Sequence, residues 1–251
     1  MILDDIVEHK KIEVEKLKKE KHSLKKKLSN KEMSLIAEIK KASPSRGVIS
    51  DKFNPQLQFE EYRKGGAEAL SILTDKKFFQ GSNNILSDIR PQTQMPILRK
   101  DFIISPLQVY ESLFLGADVI LLIVAILSYE KLEELLKLAR KLGMEAIVEV
   151  HSRKELEIAV NSSAEIIGIN NRNLKDFSVN LCTTGKLINQ LKDKNIREDY
   201  YIIAESGVQN RKDILYLSNL GVDGVLIGSS LMESEKTSEY IKELFDGIKE
   251  D

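Results

Sequence analysis

A chain of 251 residues, 42% hydrophobic and 31% charged, has the composition of a folded globular protein and the length for one large domain or two small ones. Its formal net charge of -1 gives no reason to expect a nucleic-acid partner for the molecule as a whole, and no segment is apolar for long enough to span a bilayer. The amino terminus, MILDDIVEHKK, carries acids where a signal peptide carries basic residues, so a cytoplasmic protein with no membrane partner is expected. The single cysteine, Cys182, can form neither an internal disulfide nor a multi-cysteine metal site and reads as a structural thiol.

In chain order, residues 2 to 31 read as helix, with Ile2, Ile6, Ile12, Val14, Leu17, Leu24 and Leu28 spaced among lysines and glutamates. Short apolar runs then follow: SLIAEI (34–39), ALSIL (69–73), PILRK (96–100), DVILLIV (118–124), EAIVEV (145–150), EIIGIN (165–170), YYIIAE (200–205) and DGVLIG (223–228). Amphipathic stretches lie between them, among them 105–116, 128–143, 152–160 and 210–221, several opening on Ser or Asn and closing on Gly as helix ends do. About eight strand–helix units with no linker predict a single domain, a closed (β/α)8 TIM barrel of parallel strands. An open doubly wound sheet is the rival, but the first turn, KASPSRG, lacks the glycine fingerprint such a sheet uses for a dinucleotide. The interval 171–199 holds a loop and a helix whose limits the pattern does not define.

Barrel active sites lie at the carboxyl ends of the strands. Those ends are loaded here. Glu38 and Lys40 close the first strand, Arg99, Lys100 and Asp101 the third, Glu149 the fifth, Asn170 and then Arg172 the sixth, and Glu205 the seventh. A charge taken from water without a partner costs several kcal/mol, so inward-facing ones must pair or face a polar pocket, while outward ones would form ion pairs with the helices. Gly207 after the seventh strand and Gly228 with Ser229 after the eighth place backbone N–H groups where a phosphate could sit. Together these features predict a small phosphorylated substrate worked on by lysine and carboxylate acid–base chemistry. His9, His22 and His151 are too scattered for a metal site, and His151 reads as part of the cap of the helix that follows it.

The segments AEIKKASPSRG, LSILTD with FFQGS, PILRKDFI, ADVILLIVAIL, EAIVEVHS, IIGINNRNL, IAESGV and LIGSSLM appear together and in an order that closely resembles the indole-3-glycerol-phosphate synthase family over nearly the whole chain. The resemblance implies a barrel with an amino-terminal helical extension, residues 1–31, packed near the mouth. It implies no cofactor, no metal, a monomer and ring closure of 1-(2-carboxyphenylamino)-1-deoxyribulose 5-phosphate with loss of carbon dioxide and water. It makes Lys100 the acid at the ketone and adds Lys40, Glu38 and Glu149 for dehydration, whose division between Lys40 and Lys100 and between Glu38 and Glu149 stays open. It places phosphate at Gly207, Gly228 and Ser229, polar contacts at Ser43, Asn170, Arg172, Glu205 and Ser206, and the aromatic ring among Pro44, Phe79, Phe102 and Leu121. Lys40 and Arg172 are expected to lower the pKa of Lys100.

Two departures from the family pattern stand beside this set, Asp75 where glutamate is usual and Asn173 where aspartate is common. The related barrel phosphoribosylanthranilate isomerase would be expected to use a cysteine and an aspartate, and Cys182 lies beyond the sixth strand. A non-catalytic phosphate-binding scaffold would show gaps in the acid–base set, and none is seen. Acids at Glu8, Glu13, Glu15 and Glu20 dilute the lysines of the first helix, which argues against a nucleic-acid or membrane contact.

Overall fold

The structure, a computed structural model, describes residues 2–17, 22–30, 32–44, 47–48, 53–173 and 176–248. Eight parallel strands pair with their chain neighbours and close on themselves: β1 (Ser34–Ile39), β4 (Ala69–Leu73), β5 (Ile97–Lys100), β6 (Val119–Ile123), β7 (Glu145–Val150), β8 (Ile166–Asn170), β9 (Tyr201–Glu205) and β10 (Gly224–Ile227), the last pairing with β1 through Ala37 and Ile227. After β1 comes a short hairpin of β2 (Ala42–Ser43) and β3 (Gly47–Val48). The strands are apolar on both faces because both faces are covered. Ile36, Leu98, Val119, Leu121, Ile147, Ile166, Ile203 and Leu226 fill the interior, whereas Leu35, Ile72, Ile120, Val148, Ile167, Ile202 and Val225 pack outward on the helices.

The helices follow strong local signals. They are α3 (Pro55–Gly65), α4 (Lys76–Phe79), α5 (Asn83–Ile89), α6 (Pro106–Leu115), α7 (Tyr129–Lys141), α8 (Arg153–Asn161), α9 (Cys182–Asp193), α10 (Arg211–Leu220), α11 (Ser229–Glu233) and α12 (Thr237–Phe245). Ser105, Ser128, Ser152 and Asn210 each cap a helix by accepting a backbone N–H, and Asp213 completes a capping box with Asn210. The interval that follows the sixth barrel strand resolves into a loop and α9.

The amino-terminal extension differs from the expected single helix near the mouth. It forms α1 (Ile2–Leu17), exposed over residues 2–11, and a separate α2 (Leu24–Leu28) that closes the opposite end of the barrel. Leu24 and Leu28 join the interior cluster, and each fully buried leucine contributes about 1.5–3 kcal/mol. Glu145 holds this plug in place: it accepts from Ser23 Oγ at 2.6 Å and from the backbone N–H groups of Leu24 and Lys25 at 2.8 and 3.0 Å. Gly224 makes room for it, since a Cβ there would lie 2.6 Å from Leu28 Cδ2. A helix that places two leucines under the strands serves the core, so this part of the extension cannot also cover the substrate end.

Candidate active site

Successive inward positions on a strand are two residues apart, so each strand carries its interior pattern one step further toward the carboxyl end. Past Ile36 comes Glu38, past Leu98 comes Lys100, past Ile147 comes Glu149, past Gly168 comes Asn170, and past Ile203 comes Glu205. The apolar interior therefore gives way to a ring of polar groups, and these line a cavity of about 890 Å³ open at the barrel mouth. Every residue that the family resemblance assigns to the site lines the same cavity: Lys40, Ser43, Pro44, Phe79, Phe102, Leu121, Arg172, Ser206, Gly207, Gly228 and Ser229 join the five above. Arg99 points the other way, where Asp101, Glu111, Thr74 and Ser112 hold it in the helix layer.

Lys100 is the hub of the ring. Its Nζ donates to Glu149 Oε2 at 3.0 Å and also to Glu205 Oε2. Burial works to lower the pKa of Lys100, but Glu205, Glu149 and Glu38 outweigh it and hold the amine well above the ordinary lysine range. The expected lowering by Lys40 and Arg172 is therefore not what the site shows. Lys40 Nζ is tied to Glu38 Oε1 at 2.6 Å, and Arg172 Nη1 donates to the carbonyl of Phe177 at 3.2 Å, so both cations are engaged with other groups.

The two carboxylates at Lys100 differ from each other. Burial would raise Glu149, yet Lys100 and His151 hold it below the usual carboxylate range. Glu205 is pushed up to about 7 by burial, against the pull of Lys100 and with the help of the Glu149 charge. One amine cannot neutralise two buried carboxylates. Glu205 Oε1 has no hydrogen-bond partner among the described residues. Two inward glycines give Glu205 and Glu38 their room. A Cβ on Gly168 would lie 2.3 Å from Glu205 Oε1, and one on Gly228 would lie 2.5 Å from Glu38 Oε1.

His151 does more than open a helix. Ser152 supplies the cap of α8, while the His151 ring lies with Nε2 3.2 Å from Glu149 Oε1 and Nδ1 3.0 Å from Glu155 Oε2. Burial opposes its positive charge, but the two glutamates prevail and raise its pKa to about 9.

At the far side of the cavity Ser206 (φ 65°) and Gly207 (φ 102°) adopt left-handed backbone in succession, and Gly228 stands at the start of α11 with Ser229 and Ser230 opening on the cavity. Ser230 Oγ donates to the carbonyl of Val208 at 3.0 Å, joining the two turns. The apolar wall is built from Phe79 and Phe102, whose rings lie 6.0 Å apart and tilted by 39°. Asp75, one of the departures from the family pattern, caps α4 by accepting from Phe78 and Phe79 N–H at 2.7 and 3.1 Å, which places Phe79. Among the described residues no group of three or more His, Cys, Asp or Glu side chains is placed to hold a metal ion. Sequence reading missed Asn171, Gln209 and Tyr240. The last two line the cavity, with Tyr240 Oη donating to the carbonyl of Gln209 at 2.5 Å, and only the return of α12 to the mouth brings them together.

The family model for indole-3-glycerol phosphate synthase matches residues 3–244. The indole-3-glycerol phosphate synthase of Petrotoga mobilis is 55% identical over 245 residues, covering 98% of this chain and 97% of the relative. That of Thermoanaerobacter pseudethanolicus is 42% identical over 265 residues, covering 98% of this chain and all of the relative. Among solved structures, thiamine phosphate pyrophosphorylase from Pyrococcus furiosus superposes with a TM-score of 0.63 at 19% identity over 87% of this chain and 96% of the other, a likeness of fold alone. A match of this extent to model and relatives alike, on a barrel whose mouth gathers the acids, the bases and the glycine turns after the last two strands, means that the chain belongs to the indole-3-glycerol phosphate synthase family, carboxy-lyases of tryptophan biosynthesis.

Proposed function

We propose that Lys100 closes the indole ring of 1-(2-carboxyphenylamino)-1-deoxyribulose 5-phosphate by protonating the ketone oxygen. The observation that carries this reading is the placement of one ammonium at the cavity floor, held by Glu149 and Glu205. The ring carbon bearing the carboxylate attacks the ketone carbon, and the C=O electron pair moves to oxygen, where it meets the Lys100 proton. An alkoxide is far more basic than an amine, so a lysine kept protonated by its carboxylates is a competent acid at that instant. Loss of carbon dioxide returns the C–C electron pair to the ring. The new hydroxyl then leaves as water with a second proton from an acid, while a base removes the proton whose loss makes the five-membered ring aromatic. Glu149, Glu38 and Lys40 are the groups within the same cavity for those two transfers.

In this reading the phosphate sits at Gly207, Gly228 and Ser229, the aromatic ring against Phe79, Phe102, Pro44 and Leu121, and the polar groups meet Ser43, Asn170, Arg172, Glu205 and Ser206. No described helix is long and apolar enough to cross a membrane, and a monomer working in the cytoplasm on this small phosphorylated substrate fits the site.

The test is formation of indole-3-glycerol phosphate followed by indole fluorescence, clean because the chain has no tryptophan. Wild type should form product, and Lys100→Ala should lose about 100-fold to 10,000-fold in turnover, as removal of an essential acid does. A folded wild type that binds the substrate but makes no product would sink the activity. A Lys100→Ala variant within tenfold of wild type would remove Lys100 from the role of acid.

A further inference from the structure

Asn171 stands between two proposed substrate contacts, Asn170 and Arg172, yet it points away from the cavity and is 3% exposed. The β8–β9 ladder ends at the pair Asn170 and Glu205, and Arg172 instead bridges to Val179. Glu205 O therefore closes the ladder and the half-buried Ser206 O lies beyond its last rung, and both need donors from past the end of β8. Asn171 supplies them. Its backbone N–H donates to Glu205 O at 2.9 Å, and its Nδ2 donates to Glu205 O at 3.1 Å and to Ser206 O at 3.2 Å. The amide has one possible orientation. Its other end meets the backbone N–H of Thr184 at 3.1 Å and the Thr184 hydroxyl at 2.8 Å, and because a backbone N–H can only donate, the atom facing it must be Oδ1.

We propose that Asn171 is a positioning residue that anchors the Glu205–Ser206–Gly207 turn to the fully buried Thr184 of α9, and so sets at once the carboxylate at Lys100 and the backbone that receives the substrate phosphate. Two successive left-handed residues, one of them a serine, persist only where the surroundings over-determine them. Here one planar amide does so from below, while Gly207 is held from above, where a Cβ would lie 2.8 Å from Val179 Cγ1. The inference rests on the phosphate reading of Gly207, Gly228 and Ser229.

The experiment compares Asn171→Ala, Asn171→Asp and Thr184→Val with wild type by substrate kinetics, by inhibition with inorganic phosphate and by thermal melting. The side chain of Asn171→Asp can still accept from Thr184 but cannot donate to the turn, which keeps only the backbone N–H of residue 171. Both Asn171 variants should raise KM, and the inhibition constant for phosphate with it, by roughly tenfold, equivalent to about 1.4 kcal/mol. Thr184→Val keeps Asn171 and the backbone donor of residue 184 and should shift both constants by roughly twofold to fivefold. A merely structural role would lower the melting temperature and the amount of active enzyme while leaving KM and the phosphate constant unmoved, and that result overturns the proposal. If the Asn171 variants do not fold, Thr184→Val decides alone, with unchanged constants counting against. If phosphate fails to compete on wild type, the phosphate reading falls, and the clamp is then judged on KM alone.

Discussion

At the amino-terminal end of the barrel Asp118 is 2% exposed and both of its oxygens are filled: Oδ1 accepts from the His22 N–H at 2.9 Å, and Oδ2 from Ile97 N–H at 3.0 Å and Arg90 Nη1 at 2.5 Å. At the carboxyl-terminal end Glu205 is 1% exposed, shares Lys100 with Glu149, and keeps one oxygen without a described partner. Both ends bury charge in the same scaffold, but at the first each carboxylate is met by at least one backbone N–H fixed by the fold itself, beside a side-chain donor. Glu145, bound to the start of α2, and Asp223, which accepts from Ile202 N–H at 2.6 Å and Arg197 Nη2 at 2.8 Å, repeat that pattern. At the mouth the donors are side chains too few for the acids around them. A buried charge with every lone pair used is structural. One left short of partners is costly to keep, which is where function is to be sought.

The sharpest way to break the comparison is at the structural end. Asp118→Ala removes the acceptor from Arg90, Ile97 N–H and His22 N–H together. Breaking a buried pair by removing one partner should cost about 3–5 kcal/mol, read as a fall in the denaturation midpoint in urea, with kcat of the folded enzyme unchanged. A loss below about 1 kcal/mol would show that the buried charge at this end carries no stability.

The opposite sign is expected at the mouth. Glu205→Gln keeps shape and removes one of two negative charges, while Lys100 retains Glu149. The folded pKa of Glu205 is raised to about 7 from an ordinary 4.5, so the folded protein holds this proton more tightly than the unfolded chain. Stability is then lost as pH rises from 4.5 through 7, and the glutamine should add about 1–2 kcal/mol at pH 8 and little at pH 5. Turnover should fall at the same time, because the carboxylate that orients Lys100 is gone. A variant less stable than wild type at pH 8 would mean that the two carboxylates are not in conflict.

Much of this contrast is legible in the amino-acid sequence. Barrel strands are apolar on both faces, so the runs ending at Ile39, Lys100, Val150, Asn170 and Glu205 announce themselves, and the two-residue period turns Glu38, Lys100, Glu149 and Glu205 inward once their strands are recognised. The break between α1 and α2 is not legible, because the partners of Leu24 and Leu28 are interior residues as distant as Ile203 and Leu226. The charge state of Lys100 is not legible either. Its sign depends on which neighbours reach it, and Lys40 is already claimed by Glu38 at 2.6 Å. Nor does Asn171 stand out from Asn170, since its task is to serve two carbonyls over thirty residues further along the chain.

His151 lies between the two kinds of burial, and its effect should be the smallest. Facing it are Glu149 at 3.2 Å and Glu155 at 3.0 Å, the latter fixed in turn by the Ser152 hydroxyl at 2.9 Å, so the imidazolium is paired on both sides. Its folded pKa is raised to about 9 from 6.5, which makes its contribution complete below pH 6.5 and lost as pH climbs through 9. The melting temperature of wild type should therefore decline between pH 7.5 and 9.5, a window above the titration of Glu205, and His151→Gln should flatten that decline. The difference should be on the order of 1 kcal/mol, or about 2–4 °C for a domain of this size. Parallel curves for the two proteins would mean that Glu149 draws its low pKa from Lys100 alone, and that the mouth has no structural support from the helix layer behind it.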